Sequence, residues 1–578
     1  MSHWIEKTSI YHIYPLGFCG CERLHSEAGE LDKGRILKVI EWIPHLKELN
    51  MNAVYFGPVF ESFEHGYDTT DYYTIDKRLG TNEEFGQVCE ELHKNGIRVI
   101  LDGVFNHVGR DHFAFKDLQQ NGQNSRYKDW FAGVNFGGRS PYGDNFSYEG
   151  WNGHYNLVKL NLWNNEVVEH LFGAVKMWIE KWNIDGIRFD AADCLSDDFI
   201  RRIHSFTRGM RPDFWLMGEI IHGQYNRWAN GDMFDCVTNY QCYKGIYSSH
   251  NDRNYFEIAH SIEYQMGQYG NIYMYNFLDN HDVARLMSVL KNPAHAECCY
   301  TMMYGMYGVP SIYYGSEFGI YGAKGQGADA DRAIRPCLDL NNIPDRNNDL
   351  LNHISKLGAL RMSLNALQSG SYAKLDLKNQ TFLFKRELGG EIAYIALNIS
   401  DGDYTFRFNT GYGNLTDCLS GRKFPVNGGN AEITVPQNKS MILVNSDNVP
   451  DTVPKFEEIK APEPAPEAPP ANEGSPAPAP AEIPPAPPVQ EIPPKNNGIR
   501  GLGVPEGRKI VIGGHYKHFK GGNYVVLNVA KDHETCQEQA VYMQLHDKPI
   551  VWVRPLDMFL EDVDDHGNVK PRFELIQD

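Results

Sequence analysis

Four short acidic segments, DGVFNH (102–107), GIRFDAAD (186–193), MGEI (217–220) and FLDNHD (277–282), each follow an apolar, strand-like run and place carboxylates just beyond it. Such a set suits glycosidic-bond cleavage, in which one carboxylate attacks or stabilises the anomeric carbon while a second protonates the leaving oxygen. A parallel barrel collects residues of this kind at the C-terminal ends of its strands.

Asp190 closes one run with Arg188 two residues before it, so both side chains leave the same face of a strand. The guanidinium favours an ionised carboxylate, the form a nucleophile needs, although an isolated R-x-D is also an ordinary structural ion pair. Glu219 ends the run WLMGE, where Leu216, Met217, Ile220 and Ile221 desolvate it with no cation nearby. That setting raises a carboxyl pKa and suits a general acid; the plainer reading is a carboxylate bonded to neighbouring backbone. Asp282 follows His281, and His107 ends the segment that Asp102 opens. Imidazole donates to a sugar hydroxyl and a carboxylate accepts from one, so these groups suit a pyranose held while its anomeric centre flattens. A lone histidine is more often a satisfied core residue. Four segments in register on successive strands outweigh the separate structural readings.

The elements that must position these residues are short apolar runs alternating with helical patterns: 9–15, 53–60, 98–105, 185–190, 214–219, 233–240, 274–282 and 311–317. Amphipathic stretches such as Glu83–Lys94 and Val167–Trp182 lie between them, and βα alternation of this kind predicts an α/β chain, a closed (β/α)8 TIM barrel, over residues 1–365. The long Gly-, Asn- and aromatic-rich interval at 108–162 predicts an inserted subdomain after the third strand, on the side where a substrate cleft forms. Short alternating segments predict a C-terminal antiparallel β domain at 366–447. A Pro/Ala/Glu-rich linker at 448–499, read as extended polyproline II, leads to a small mainly-β domain at 500–578. In that last domain Tyr516, Phe519 and Trp552 offer either a sugar platform or, more simply, core.

Composition narrows the partners. A net charge of −19 over 578 residues opposes binding to nucleic acid or anionic membranes and fits a neutral, polyhydroxylated substrate. The chain opens without a signal-peptide pattern and contains no apolar run long enough to span a bilayer, so a soluble, cytoplasmic protein is expected. Eleven scattered cysteines agree with reduced thiols, and Cys19 and Cys21 lack the second pair a zinc site requires.

With those motifs in place, residues 1–447 resemble the α-amylase family, glycoside hydrolase family 13. The four segments look like its signature regions, which implies Asp190 as nucleophile, Glu219 as general acid/base and Asp282 as transition-state stabiliser. The resemblance also makes Asp102, His107, Arg188 and His281 substrate-contacting residues. GYDTTDYYTID (66–76) is similar to a further family segment and implies that Tyr67 stacks under the sugar at the cleavage point. VKLN (158–161) is similar to the MPKLN segment of the neopullulanase and cyclomaltodextrinase branch. That branch acts on cyclodextrins, maltodextrins and pullulan, and its usual N-terminal β domain has no counterpart ahead of the first strand near Ser9. The implied activity is retaining hydrolysis of α-1,4-glucosidic bonds in α-glucan oligosaccharides, with transglycosylation and non-catalytic glucan binding as alternatives. No cofactor is required for that chemistry. Ca2+ is a candidate ligand through Asn106, although a calcium site takes about six to eight oxygens. Asp331 and Arg335 in DRAIRP match either a substrate-clamping pair or a loop ion pair. Residues 503–573 resemble a bacterial domain of unknown function, number 1653 of its series.

Overall fold

The computed structural model describes residues 4–29, 33–270, 272–327, 330–450, 455–460, 499–501, 505, 508–512, 514–519, 523–531, 538–544, 551–565 and 568–577. Eight strands, β1 (Ile10–Ile13), β2 (Ala53–Phe56), β3 (Arg98–Gly103), β4 (Gly186–Phe189), β5 (Trp215–Gly218), β6 (Cys236–Thr238), β7 (Tyr273–Asn276) and β8 (Val309–Tyr313), close into a barrel. Every neighbouring pair is parallel, and β1 joins β8 to complete the ring. Six lie inside the apolar runs of the sequence, while β7 begins one residue and β8 two residues ahead of theirs.

Strand alternation divides the core into two layers. Ile10, Ala53, Tyr55, Ile100, Trp215, Met217, Tyr275 and Val309 cluster inside the ring. The alternate residues, among them Val54, Phe56, Val99, Leu101, Ile187, Phe189 and Leu216, belong to the layer beneath the surrounding helices. Helix α1 (Asn82–Lys94) starts at a reciprocal capping box between Thr81 and Glu84. Helix α2 (Asn165–Trp182) is capped by Asn164 and ends at Asn183 in the left-handed conformation. Its buried face carries Val168, Leu171, Val175, Trp178 and Trp182 at helical spacing, and burying such a side chain contributes about 1.5–3 kcal/mol. Trp178 also donates to Tyr72 O (2.9 Å) and stacks on Phe60 (4.3 Å), fixing an antiparallel hairpin of Phe60–Ser62 and Thr69–Ile75 whose loop carries Tyr67.

Between β3 and β4 the inserted segment forms a three-stranded sheet of His107–Gly109, His154–Lys159 and Gly150–Trp151. After the barrel, a six-stranded and a two-stranded antiparallel sheet span Ser371–Asn445 around a separate core. Residues 455–460 then lie against the barrel: Ile459 N–H donates to His93 O (2.9 Å), and Lys47 sits over the Phe456 ring. The remainder of the proline-rich linker, 461–498, lies outside the described residues.

Residues 1–465 and 466–578 are two compact units. The second has a five-stranded antiparallel sheet, with Asn523–Lys531 at its centre, and a three-stranded sheet. Tyr516, Val526, Tyr542, Phe559 and Phe573 fill its core, so Tyr516 packs rather than forming an exposed platform. The Trp552 side chain lies outside the described residues. Among the described residues no helix is long and apolar enough to cross a membrane.

Candidate active site

At the C-terminal mouth of the barrel, the inward strand positions change from apolar to charged. Ile100 is followed by Asp102 on β3, Trp215 and Met217 by Glu219 after β5, and Arg188 and Asp190 take the matching positions on and after β4. Register sets Asp102 beside Arg188, and Arg188 beside Met217. Consequently three carboxylates meet one guanidinium. Arg188 Nη1 donates to both Asp102 oxygens (2.8 and 3.0 Å) and to Asp190 Oδ1 (3.0 Å), while Nη2 lies 2.8 Å from Glu219 Oε2. Arg188 is 3% exposed, so these contacts form out of water and are correspondingly strong.

Glu219 therefore has a cation beside it, contrary to the expectation drawn from its apolar sequence neighbours. Leu216, Met217 and Ile220 are buried as expected, whereas Ile221 is exposed, and the cation arrives from the next strand, a pairing no local window contains. Backbone fixes the same carboxylate from a second direction. Ala191 adopts a left-handed conformation (φ 43°) and its N–H donates to Glu219 Oε2 (3.1 Å), while Ala192 N–H donates to Glu219 O (3.2 Å). A non-glycine residue in this region costs about 1–2 kcal/mol, a strain that places the turn after Asp190 against Glu219.

Across the cleft, His281 Nε2 lies 3.0 Å from Asp282 Oδ2 and hydrogen-bonds the Tyr67 hydroxyl. The His281 ring runs nearly parallel to Tyr14 and Tyr67, with interplanar angles of 9° and 10°. Tyr67 OH also donates to Asp102 Oδ2 (3.0 Å), and Tyr55 OH to the same oxygen (2.7 Å). Arg335 donates to His281 O (2.8 Å) and Asp282 Oδ1 (3.1 Å) while pairing with Asp331 (2.9 Å), so it ties the last acid to the loop after β8. The Asp331–Arg335 spacing was the only sequence signal for this role.

A cleft of about 830 Å³ opens over these groups. Tyr67, His107, Asp190, Glu219 and Asp282 line it, whereas Asp102, Arg188 and His281 stand behind its wall, each no more than 3% exposed. Sequence reasoning missed Tyr240, which donates to Glu219 Oε1 (3.4 Å), and the subdomain residues Trp151 and His154, which form the far wall. Nothing in their local sequence marks them.

Burial, partly offset by Arg188, pushes Asp190 well above the usual carboxylate range, and the Glu219, Asp102 and Asp282 charges act in the same direction. Burial and the neighbouring acids thus outweigh the guanidinium from which an ionised Asp190 was expected. Asp282 goes the other way: desolvation raises it, but His281, Arg335 and Arg188 together hold it well below that range. Burial lowers His107 to about 3, so its ring is neutral. Asn106 Nδ2 donates to His107 Nδ1 (3.2 Å), which leaves Nε2 as an N–H donor with no protein partner, 3.9 Å from Asp190 Oδ2. Among the described residues no group of three or more His, Cys, Asp or Glu side chains is arranged to hold a metal ion.

A profile of the alpha amylase catalytic domain matches residues 12–356. The chain belongs to the α-amylase family. It is a glycosidase of family 13, in the neopullulanase and cyclomaltodextrinase branch. A cyclomaltodextrinase of a Bacillus species is 30% identical over 441 residues, 72% of this chain and 75% of the relative. Neopullulanase 2 of Thermoactinomyces vulgaris is 31% identical over 474 residues, 76% of this chain and 78% of the relative. Among solved structures, a cyclomaltodextrinase superposes with a TM-score of 0.68 at 27% identity, covering 76% of this chain and 78% of that one. The ligand-free cyclic alpha-maltosyl-(1→6)-maltose hydrolase of Arthrobacter globiformis gives 0.66 at 25% identity, covering 77% of this α-amylase-family chain and 100% of its own. Residues 514–575 match a second family, a protein of unknown function named DUF1653.

Proposed function

We propose that this protein is a retaining hydrolase of α-1,4-glucosidic bonds in maltodextrins, with cyclodextrins and pullulan as further substrates. The observation that carries the reading is the Arg188 fork, which holds Asp190 and Glu219 on adjacent nitrogens. Carboxylates gathered on the terminal nitrogens of one guanidinium stand close together, which supports the spacing of about 5–5.5 Å used in double displacement over the wider one of an inverting enzyme.

In this reading Asp190 attacks the anomeric carbon while Glu219, acting as general acid, gives a proton to the departing glycosidic oxygen. Water then enters, Glu219 takes its proton, and the glycosyl–Asp190 bond breaks. Asp282, kept ionised by His281 and Arg335, accepts from sugar hydroxyls and stabilises the flattened, positively charged centre. His107 donates Nε2–H to a hydroxyl at the same subsite, and Tyr67 supplies the ring beneath the sugar. Asp102, Arg188 and His281 position these groups from behind. No metal or cofactor takes part in these steps. Among the described residues the cysteines are free and mostly buried, which supports a cytoplasmic setting.

The test is time-resolved chromatography of products from maltoheptaose, β-cyclodextrin, pullulan and maltotriose, with Asp190→Asn and Glu219→Gln as controls. Shorter oligosaccharides from maltoheptaose that both substitutions abolish are expected. Opening of β-cyclodextrin or release of panose would extend the range, and products longer than maltotriose would show transfer. Near-native turnover in either variant would refute the assignment.

A further inference from the structure

Away from the catalytic cleft, a pocket of about 200 Å³ lies where the barrel meets the antiparallel β domain. Its barrel side carries Arg253, Lys291 and His295; its β-domain side carries Asp401, Gln437 and Asn438. Arg253 Nε is buried without a hydrogen-bond partner, although Nη2 donates to Gln380 Oε1 (3.0 Å), Ile399 O (3.2 Å) and Asp401 Oδ1 (2.7 Å). His295, 3% exposed, turns Nδ1 toward the same space, beside the Asn438 side chain and the His250 backbone. Its tautomer follows from its neighbours. Asn292 Oδ1 accepts from Ala294 N–H (3.2 Å), which orients Asn292 Nδ2 to donate to His295 Nε2 (3.0 Å) and leaves the hydrogen on Nδ1. His295 is also the N-cap of the ten-residue helix Ala296–Gly305 and makes no side-chain cap bond, so the positive end of that helix dipole borders the same space.

The pocket thus combines two cations, an Arg253 N–H lacking an acceptor, the buried His295 ring and a helix N-terminus against a single lining carboxylate. Asp401 is 81% exposed, so water screens its charge. Among the described residues Lys291 pairs only with Asp252, and both side chains are largely exposed, which leaves the ammonium able to turn inward. No large aromatic face lines the pocket, so it is ill suited to stacking a neutral sugar.

We propose that this pocket binds one small oxyanion, a phosphate group either free or carried by a sugar, and that the bound anion clamps the barrel to the antiparallel β domain. Such a ligand would accept from Arg253 Nε, Lys291 Nζ and His295 Nδ1 on one side and reach the Gln437 and Asn438 amides on the other.

The experiment uses the full chain, titrated with inorganic phosphate, glucose 1-phosphate, maltose and, at matched ionic strength, chloride, with thermal unfolding and calorimetry as readouts. Phosphate is expected to raise the melting temperature saturably while chloride does not; whether glucose 1-phosphate binds more or less tightly than inorganic phosphate identifies the source. Because maltose also enters the catalytic cleft, it is read on the Asp190→Asn protein, where its shift should be unaffected by Lys291→Gln. Lys291→Gln should weaken phosphate binding about tenfold, the loss expected for one charge-assisted contact. Arg253→Gly should abolish phosphate binding while preserving the fold, since Arg253 occupies a left-handed conformation (φ 51°) that glycine adopts without strain. Both variants should keep parental hydrolysis of maltoheptaose. A phosphate response equal in parent and variants, a chloride response of the same size, or no saturable response would overturn the proposal.

Discussion

Replacing Arg188 by Lys keeps the positive charge but removes the fork. The guanidinium makes contacts of 2.8 and 3.0 Å to Asp102, 3.0 Å to Asp190 and 2.8 Å to Glu219. A lysine ammonium is a point charge, and it will settle on Asp102, the fully buried acid, surrendering the other two contacts. Each charge-assisted contact contributes about 1.5–3 kcal/mol. If only one of the two is worth more in the transition state than in the free enzyme, kcat/KM falls about 10- to 100-fold. The pH profile provides the sharper readout. Burial and three neighbouring carboxylates already raise Asp190, and Arg188 is the main cation opposing them. Moving that charge away raises Asp190 further, so the acid limb of kcat/KM shifts to higher pH by one unit for every 1.4 kcal/mol or so of lost interaction. The assay is the pH dependence of maltoheptaose hydrolysis by parent and R188K, with thermal melts confirming that both are folded. A variant within about threefold of the parent, with an unmoved acid limb, would refute this account of the fork.

Two further substitutions test the scaffold around the site. Asp185, fully buried just before β4, accepts from Arg98 (2.6 Å), Arg211 (2.6 Å) and Val99 N–H (2.8 Å) and contacts His93 (2.8 Å). Burial raises its pKa, but His93, Arg211 and Arg98 outweigh that and leave it below the usual range. Its stabilisation is therefore present above the unfolded value of about 3.9 and is lost as pH falls through the lower folded value. Asp185→Asn should cost about 3–5 kcal/mol in urea unfolding at pH 7, with the gap to the parent narrowing below about pH 4; a pH-independent gap would contradict the linkage. At Ala191, Gly should leave stability unchanged or slightly improved, because it relieves the left-handed backbone, whereas Val should lower both the melting temperature and kcat/KM by displacing the N–H that holds Glu219. Full activity in Ala191→Val would show that this strained turn does not position the acid.

The barrel was readable because each strand is a local pattern. The inward and outward residues of β2, β3 and β5 alternate over consecutive positions, and α1 and α2 carry their caps and apolar faces within their own sequence, so short windows contained the information. The hairpin that delivers Tyr67 was less legible. Its first strand, Phe60–Ser62, is three residues long and continues an apolar run that also supplies β2, and it is held as a hairpin largely by stacking of Phe60 on Trp178, more than a hundred positions away. The capping of the barrel by residues 455–460 was hidden for a related reason: Phe456 and Ile459 stand alone in a polar, proline-rich stretch, and only the barrel surface gives them a partner.

At the site, types and spacing named the acids but not the forces among them. Arg188 and Asp190 are two residues apart on one strand, and their contact was predictable from alternation. The contacts of Arg188 with Asp102 and Glu219 depend on register between strands that lie 86 and 31 positions apart, respectively, in the chain, and that register reverses the expected surroundings of Glu219 from cation-free to cation-bound. Arg335 follows the same logic. Paired with Asp331 four residues earlier, it reads locally as a loop ion pair, yet its second partner is Asp282, the acid whose charge it preserves. A carboxylate's identity can be read from sequence when it ends a strand, but its protonation depends on which cations the neighbouring strands bring to the same height. The division of labour between Asp190, pushed up, and Asp282, held down, is thus a property of the closed ring rather than of any one of its segments.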